Sequence, residues 1–550
     1  MSAEKIFFYG PPGSGKSTVG RLAARSLGLP FHDLDAEIET RLGKSIGQIF
    51  STEGEPAFRA YERAELHRLL GEGSLVVALG GGTLVNDETR RLVEDGAPPV
   101  VLLDAPLDTL ARRLQQGAHL RPLLAADAPP DTAARLETLL AQRQAHYASF
   151  PIHLDTAQLD PEQAAWEAQI RLGMFRIQGM AEAKNPRATG YDVRVQPGGL
   201  DRLGELLRQR GLAGPVVLVS DQNVAAQFAR RVEKALRDSG YTVSLALIEA
   251  GEEHKTMQTI SGLWTAFMAA GVERSSTIVA LGGGVVTDQA GFAAATYLRG
   301  VRWVSVPTTL LGMVDASLGG KTGVDLPQGK NLVGAFYAPA LVLADPQTLA
   351  TLPDAELRSG LAETIKHGLL ADPRLLDCCS ALKRLDDPQE LAARLPEIVR
   401  RGMAVKVGVI EADPFEQGQR AALNLGHTVG HAIELVSGFR LRHGEAVAIG
   451  MVVEARMAEE MGLAEAGLSE TIASLLADVG LPTEIPADLE MDKILDAMQL
   501  DKKRADSKVR FALPVRVGEV KVGVEVDNQW RKHALDLSFA RSQSKPARPA

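Results

Sequence analysis

Residues 6–18, IFFYGPPGSGKST, set an apolar run of strand length directly against a glycine-rich turn and the start of a helix-forming segment. A strand that turns at once into a helix buries its faces best in a parallel sheet covered by helices, so this region is committed to an α/β layer architecture. Further apolar runs at SLVVALGGG and APPVVLLDAP, with helical segments between them, extend the alternation over residues 1–176. The stretch QGMAEAKNPRATG has no apolar periodicity and predicts a linker over 177–189. Alternation then restarts through YDVRVQPGG, PVVLVSD, VSLALIEAGEE, STIVALGGGVVTD and VRWVSVPTT, predicting a Rossmann-like α/β part over 190–352. Amphipathic segments such as ELRSGLAETIKHGLL and HTVGHAIELVSG predict a mostly helical part over 353–540, and the polar end over 541–550 predicts a disordered tail. VALGGG occurs at 77–82 and again at 279–284, but the flanks differ. It reads as two buried strands that each end in a glycine turn where backbone approaches a ligand.

A chain of 550 residues exceeds one ordinary core, and about two to four domains are expected. Hydrophobic content of 45% with only 5% aromatics describes a globular protein. Its apolar runs fall short of the roughly 18 to 20 residues that a membrane helix needs. The first residues lack both the apolar core of a secretory signal and the Arg/Ser-rich pattern of a transit peptide, so a cytoplasmic protein is expected. A formal net charge of -9 argues against a nucleic-acid partner and leaves small anionic substrates held in local basic pockets. The adjacent Cys378 and Cys379 form neither a disulfide framework nor a CxxC site, and a buried structural role is expected for both.

Gly10 to Thr18 fit the P-loop pattern GxxxxGK[ST] between a strand and a helix, the context in which the motif works. Gly13, Ser14, Gly15 and Thr18 then cradle the phosphates of ATP, Lys16 reaches its outer phosphates, and the Ser17 hydroxyl sits on Mg²⁺. In LPFHDLDAEIE, Asp33 and Asp35 offer one carboxylate for the metal shell and one to take a proton. The alternative is that they only cap the next helix. The arginines in AFRAYE, HLRPLL and QRQAHY complete a set that resembles shikimate kinase across residues 1–175. The resemblance implies that Asp35 binds the acceptor hydroxyl and is the base, while Asp33 supports Mg²⁺. It implies that Arg59 and Arg143 hold the shikimate carboxylate, Glu62 orients Arg59, Gly80, Gly81 and Gly82 line the pocket, and Arg121 closes onto ATP. One departure is Ala145, where the family commonly carries proline between the arginine and Tyr147.

In LNLGHTVGHAIELVSGFRLRHGEAVA, His427 and His431 are four apart and share a helix face, so spacing alone makes both of them metal ligands. The competing view is a buried pair satisfied by hydrogen bonds. The succession from ATYLRGVRWVSVPTT through GLAETIKHG to RHGEAVAIGM resembles 3-dehydroquinate synthase over residues 190–535. The resemblance replaces the spacing assignment: the zinc (or cobalt) ligands become Glu363, His427 and His443, and His431 becomes a proton-transfer or phosphate-contacting group. Positions matching substrate contacts are Arg299, Lys321, Asn331, Lys366, Lys406, Arg420 and Asn424, with Asp315 and Glu416 as acidic partners and Lys502 or Lys503 as another lysine. Positions matching NAD⁺ contacts are Asp221, Asn223, Glu252, Lys255, Gly283, Gly284, Val285, Asp288, Thr308, Thr309 and Lys330. VDAS at 314–317 departs from the family's usual VDSS.

The resemblances imply a bifunctional shikimate-pathway enzyme, with a recycled NAD⁺ in the synthase and a homodimer through that half. Alternatives are another small-molecule P-loop kinase fused to a metal-dependent polyol dehydrogenase, or a binding module in which one half has lost catalysis.

Overall fold

The computed structural model describes residues 4–95, 98–116, 132–178, 190–500 and 509–543. The chain divides into two compact units, Met1–Arg176 and Ile177–Ala550.

In the first unit, β1 (Lys5–Tyr9), β2 (Phe31–Asp33), β3 (Leu75–Ala78), β4 (Val100–Asp104) and β5 (Ile152–Asp155) form one sheet in the order β2-β3-β1-β4-β5. Every pairing in it is parallel. Successive residues of β1 point to opposite faces and feed two cores. Phe7 and Tyr9 pack with Leu34, Ile38 and Phe58 on one face, and Ile6 and Phe8 pack with Val19, Ala23 and Leu154 on the other. Sequence alternation in IFFY is absent because both faces are buried, as parallel sheets require. α1 (Lys16–Leu27), α2 (Leu34–Leu42), the helix Gly54–Gly71 and α3 (Thr132–Ala148) position the site.

In the second unit, β6 (Tyr191–Val195), β7 (Val216–Asp221), β8 (Val243–Ile248), β9 (Thr277–Gly282), β10 (Arg302–Pro307) and β11 (Leu341–Ala344) run in the order β6-β11-β10-β9-β7-β8. These contacts are also parallel. α4 (Gly284–Thr296) follows β9, and α5 (Asp354–Ala371), α6 (Pro388–Ala412), α7 (His427–Val436) and α8 (His443–Glu460) build the helical part. Two antiparallel hairpins, 321–336 and 510–525, interrupt the expected pattern. The second lies inside the segment expected to be helical, where Phe511 and Leu513 join the core formed with Val453 and Met457 of α8. The final helix continues to Gln543, three residues into the segment expected as a tail. Most of the expected linker lies outside the described residues. Cys379 is buried as expected, whereas Cys378 is only half-buried. Among the described residues, no helix is long and apolar enough to cross a membrane.

α7 and α8 touch backbone to backbone, and glycine makes that approach possible. A Cβ on Gly450 would collide with the carbonyl of Gly426 and lie 2.8 Å from the Gly430 nitrogen, and one on Gly430 would lie 3.0 Å from the Ala446 carbonyl. Separating these helices would pull apart the histidines they carry. Gly450→Val is expected to lower zinc affinity at least about tenfold, consistent with the cost of overpacking, while phosphoryl transfer by the first unit stays within about twofold. Zinc competition with a chelating dye, alongside a coupled ADP assay, measures both.

Candidate active sites

The turn after β1 needs glycine for conformation: Gly13 and Gly15 have φ of 83° and 94°, a region that other residues enter only with strain. α1 starts at Lys16 with no side-chain cap, so its first N–H groups face the loop, as a phosphate site requires. The Lys16 side chain is 4% exposed and its Nζ donates to the Pro11 carbonyl at 2.9 Å. Gly13 to Thr18, with Arg113, Thr156 and Asp160, line a cavity of about 400 Å³. Ser17 Oγ donates to Asp33 Oδ2 at 2.5 Å, and Asp33 Oδ1 accepts the Ala36 N–H at 3.3 Å. Asp33 therefore caps α2 and meets the P-loop serine at once; the two readings of that residue are compatible.

The glycine turn after β3 gathers the remaining residues. A Cβ on Gly80 would sit 3.1 Å from Asp35 Oδ1 and 3.0 Å from Glu62 Oε1, and one on Gly82 would sit 2.8 Å from Arg59 Nη2 and 3.3 Å from Arg143 Nη2. One on Gly81 would lie 3.1 Å from the Gly10 carbonyl, so the turn also abuts the P-loop. Arg59 Nη1 donates to the buried Glu62 at 2.7 Å, and Arg143 Nη1 donates to the Gly81 carbonyl at 2.7 Å. Two guanidiniums and two carboxylates, one of them paired with Arg59, thus converge beside the phosphate loop, which is the equipment for binding an acidic alcohol and taking its proton. Ala145 lies within α3, which runs unbroken past Arg143 and Tyr147. Arg121 lies outside the described residues.

In the second unit, β9 ends at Gly282 and α4 begins two residues later. A Cβ on Gly283 would lie 3.1 Å from Thr309 Cγ2, and one on Gly284 would lie 3.2 Å from the Cβ of Ala316, the residue that departs from the family pattern. Val285 follows in the first turn and Thr308 stands beside Thr309 at the end of β10, while Asp221 at the end of β7 caps the N–H groups of Asn223 and Val224. Lys255 is buried and donates to Asp288 at 2.7 Å and to Asn331 at 2.5 Å. Burial pushes the Asp288 carboxyl up to about 6 against the pull of Lys255, and Glu252 adds to the rise. Residues expected on the nucleotide side and the substrate side therefore meet at one lysine.

Glu363 comes from α5, His427 and His431 from α7, and His443 from the start of α8. The Nε2 atoms of His427 and His443 are each 3.5 Å from Glu363 Oε1, and the donor atoms of the three residues lie within 4.8 Å of one another. Glu363 is fully buried and touches Lys366, yet neither of its oxygens accepts a well-formed hydrogen bond among the described residues. Burial presses the His427 pKa down to about 3, with Lys366 adding to the effect. Burial also opposes a charge on His443, but Glu363 and Glu434 outweigh it and lift that group to about 9. A buried anion beside two imidazoles, drawing positive charge to itself, fits a catalytic zinc with three protein ligands. His431 is exposed, with its ring centroid 5.1 Å from that of His427.

Charged groups surround this cluster. Lys406 pairs with Asp315 and holds its carboxyl well below the usual range against burial. Lys366 donates to the Leu423 carbonyl at 2.7 Å, Lys321 meets Glu416 at 2.5 Å, and Arg420 is buried beside the Pro414 carbonyl. Asn424 closes the short helical turn that begins at Gln419. Arg299, Asn331 and Glu416 have φ of 65°, 55° and 59°, three of the five described non-glycine residues with positive φ. Strain of that kind collects at functional sites. Lys330, expected at NAD⁺, donates to Glu434 at 2.8 Å and lies over the Phe439 ring. Lys502 and Lys503 lie outside the described residues.

Two glutamates escaped the sequence reading. Glu434 lies 3.4 Å from His443 Nδ1, the place from which a carboxylate would orient that imidazole as a metal ligand. Its place seven residues after His427, on the same helix face, was the available signal. Glu454 of α8 accepts the N–H groups of Gly426 and Val429 at 2.6 and 3.2 Å, capping α7 from a neighbouring helix. No local pattern announces that contact.

Family models match the chain as shikimate kinase over residues 12–172, as the 3-dehydroquinate synthase N-terminal domain over 245–359 and as its C-terminal domain over 360–504. A 3-dehydroquinate synthase from Nostoc punctiforme is 45% identical over 347 residues, spanning 63% of this chain and 96% of that protein. A 2-epi-5-epi-valiolone synthase from Streptomyces hygroscopicus subsp. jinggangensis, solved with NAD⁺ and Zn²⁺ bound, is 30% identical with a TM-score of 0.58 over 64% of this chain and 97% of that one. A 2-deoxy-scyllo-inosose synthase, complexed with carbaglucose-6-phosphate, NAD⁺ and Co²⁺, is 26% identical with a TM-score of 0.59 over 66% and 100%. With its glycine turns, zinc-type donor set and P-loop all in place, the chain belongs to the 3-dehydroquinate synthase family and carries a shikimate kinase domain ahead of it.

Proposed function

We propose that the chain is a bifunctional enzyme of aromatic biosynthesis. One site phosphorylates shikimate with ATP, and the other converts 3-deoxy-D-arabino-heptulosonate 7-phosphate to 3-dehydroquinate and phosphate. What carries the synthase assignment is Glu363, a buried carboxylate facing two imidazoles, with Lys366 against it and the Lys406–Asp315 pair beside it. A plain dehydrogenase acting on a neutral polyol has no use for so many cations.

In the kinase, the loop N–H groups and Lys16 hold the triphosphate, and Ser17 and Asp33 would hold Mg²⁺. Arg59 and Arg143 take the shikimate carboxylate, leaving the acceptor hydroxyl at Asp35. Asp35 accepts its proton as the oxygen bonds to the γ-phosphorus and ADP leaves. In the synthase, Glu363, His427 and His443 would hold zinc, and the turn at Gly283 and Gly284 with Thr308, Thr309, Lys255 and Asp288 would hold NAD⁺. When bound, this pair makes a substrate alcohol oxidisable, acidifies the adjacent C–H for phosphate loss, and returns the hydride afterwards. Lys321, Lys366, Lys406 and Arg420 neutralise the substrate's phosphate and carboxylate, and His431 moves protons near the phosphate. Assembly as a homodimer through the synthase half belongs to the same reading, and sedimentation velocity tests it.

Three outcomes are expected. Given the heptulosonate phosphate with trace NAD⁺ and zinc, the enzyme releases phosphate in large excess over NAD⁺ without accumulating NADH; stoichiometric NADH with no phosphate would identify a dehydrogenase. Lys16→Ala lowers the shikimate kinase kcat by about 10²–10³-fold, the scale of a lost transition-state contact, and leaves synthase turnover unchanged; loss of both would sink the independence of the two units. His443→Ala abolishes stoichiometric zinc by atomic absorption, whereas His431→Ala keeps the metal and loses turnover; the reverse pattern would restore the assignment that spacing alone suggests.

A further inference from the structure

We propose that Tyr9 and His146 form a positioning pair that sets Arg143 against the acceptor pocket of the kinase unit. The inference rests on the reading of Arg143 as the carboxylate-binding arginine. Arg143 and His146 are three apart on α3 and so share one face of that helix. Tyr9 is the last residue of β1 and is wholly buried, and its hydroxyl lies 3.0 Å from His146 Nε2 and 3.3 Å from the Gly81 carbonyl. The same carbonyl accepts Arg143 Nη1 at 2.7 Å and the Tyr147 hydroxyl at 2.9 Å.

The direction of the chain follows from chemistry. Arg90 Nη1 lies 3.4 Å from His146 Nδ1, and a guanidinium can only donate. Nδ1 is then the acceptor and Nε2 carries the hydrogen, which it gives to Tyr9. The Tyr9 hydroxyl is left to donate to Gly81. Burial, followed by the charges of Arg90 and Arg143, presses the His146 pKa below its ordinary value and keeps the ring neutral, as this relay requires. Tyr9 also packs edge-on against His146, Tyr147 and Phe150 with centroids 5.2–5.7 Å apart. Ala145 lies in an unbroken stretch of α3, and the tie from β1 adds a contact that holds the Arg143 face of that helix against the Gly81 carbonyl.

The test is steady-state kinetics of the full-length protein. Tyr9→Phe and His146→Leu are each expected to raise the shikimate KM about three- to tenfold, the worth of one buried hydrogen bond, with the ATP KM and kcat within about twofold. The double variant should be no worse than the worse single one. His146→Gln, whose amide can accept from Arg90 and donate to Tyr9, should stay near the parent. Equal rises in both KM values, additive effects, or no change in Tyr9→Phe and His146→Leu would overturn the pair. Arg143→Ala separates the two layers. If it raises the shikimate KM while the pair variants do not, the pair alone is refuted; if it leaves that KM unchanged, the carboxylate assignment falls first.

Discussion

Parallel strands can be joined only by crossovers, so the carboxyl ends of the strands in each unit open along one edge of its sheet. The phosphate loop and the glycine turns of both units are arranged around that constraint. β1 and β3 of the kinase unit run within one or two residues into glycine at that edge, and β9 of the synthase unit ends there in Gly282. A side chain at Gly10 would strike the Leu103 carbonyl, and one at Gly82 would take the space that the Arg59 and Arg143 guanidiniums face. The helices that follow deliver unsatisfied N–H groups to the same edge without committing a side chain. The same construction thus serves two unrelated reactions.

The synthase site adds a second kind of organisation, built on charges that water does not reach. Glu363, Lys366, Lys406 and Glu454 are all buried, and each has a counter-charge or a pair of N–H groups to meet. Buried ions contribute little to stability when paired and cost several kcal/mol when the partner is removed. They are tolerated here because a metal and a doubly acidic substrate need fixed charges already in position, with no reorganisation at the moment of reaction. The strained backbone at Arg299, Asn331 and Glu416 belongs to the same pattern.

Sequence made the phosphate loop legible, because a P-loop is a local object whose residues are within one turn of each other, whereas Arg59 and Arg143 were reachable only through the resemblance. Strand positions were also readable, since buried parallel strands are unbroken apolar runs. Spacing alone cannot choose among the histidines: Glu363 and His443 arrive from other helices, and the packed fold gathers His427 with both of them while it sets His431 beside Glu434 and His443. The hairpin at 510–525 opens on a short unbroken apolar run, FALPV, which is as compatible with a buried helix segment as with a strand, and its helical surroundings hid it. Glu454 and the Tyr9–His146 contact were beyond reach for a different reason. Their partners lie 25 or more residues away, and only the packed fold shows which carbonyl or N–H they meet.

Glu454 gives α7 its cap from outside, and the close backbone contact of α7 and α8 leaves the two helices little freedom to slide. The three donor residues are thus held by the fold whether or not a cation is bound. Among the described residues, metal uptake is then an exchange of ligands and protons at donors that the helices already hold in place. Inactivation by a chelator is then a chemical event and not a conformational one, reversible for as long as the helices stay clamped, and its rate is set by access to the cluster and by how readily the donors give up the metal.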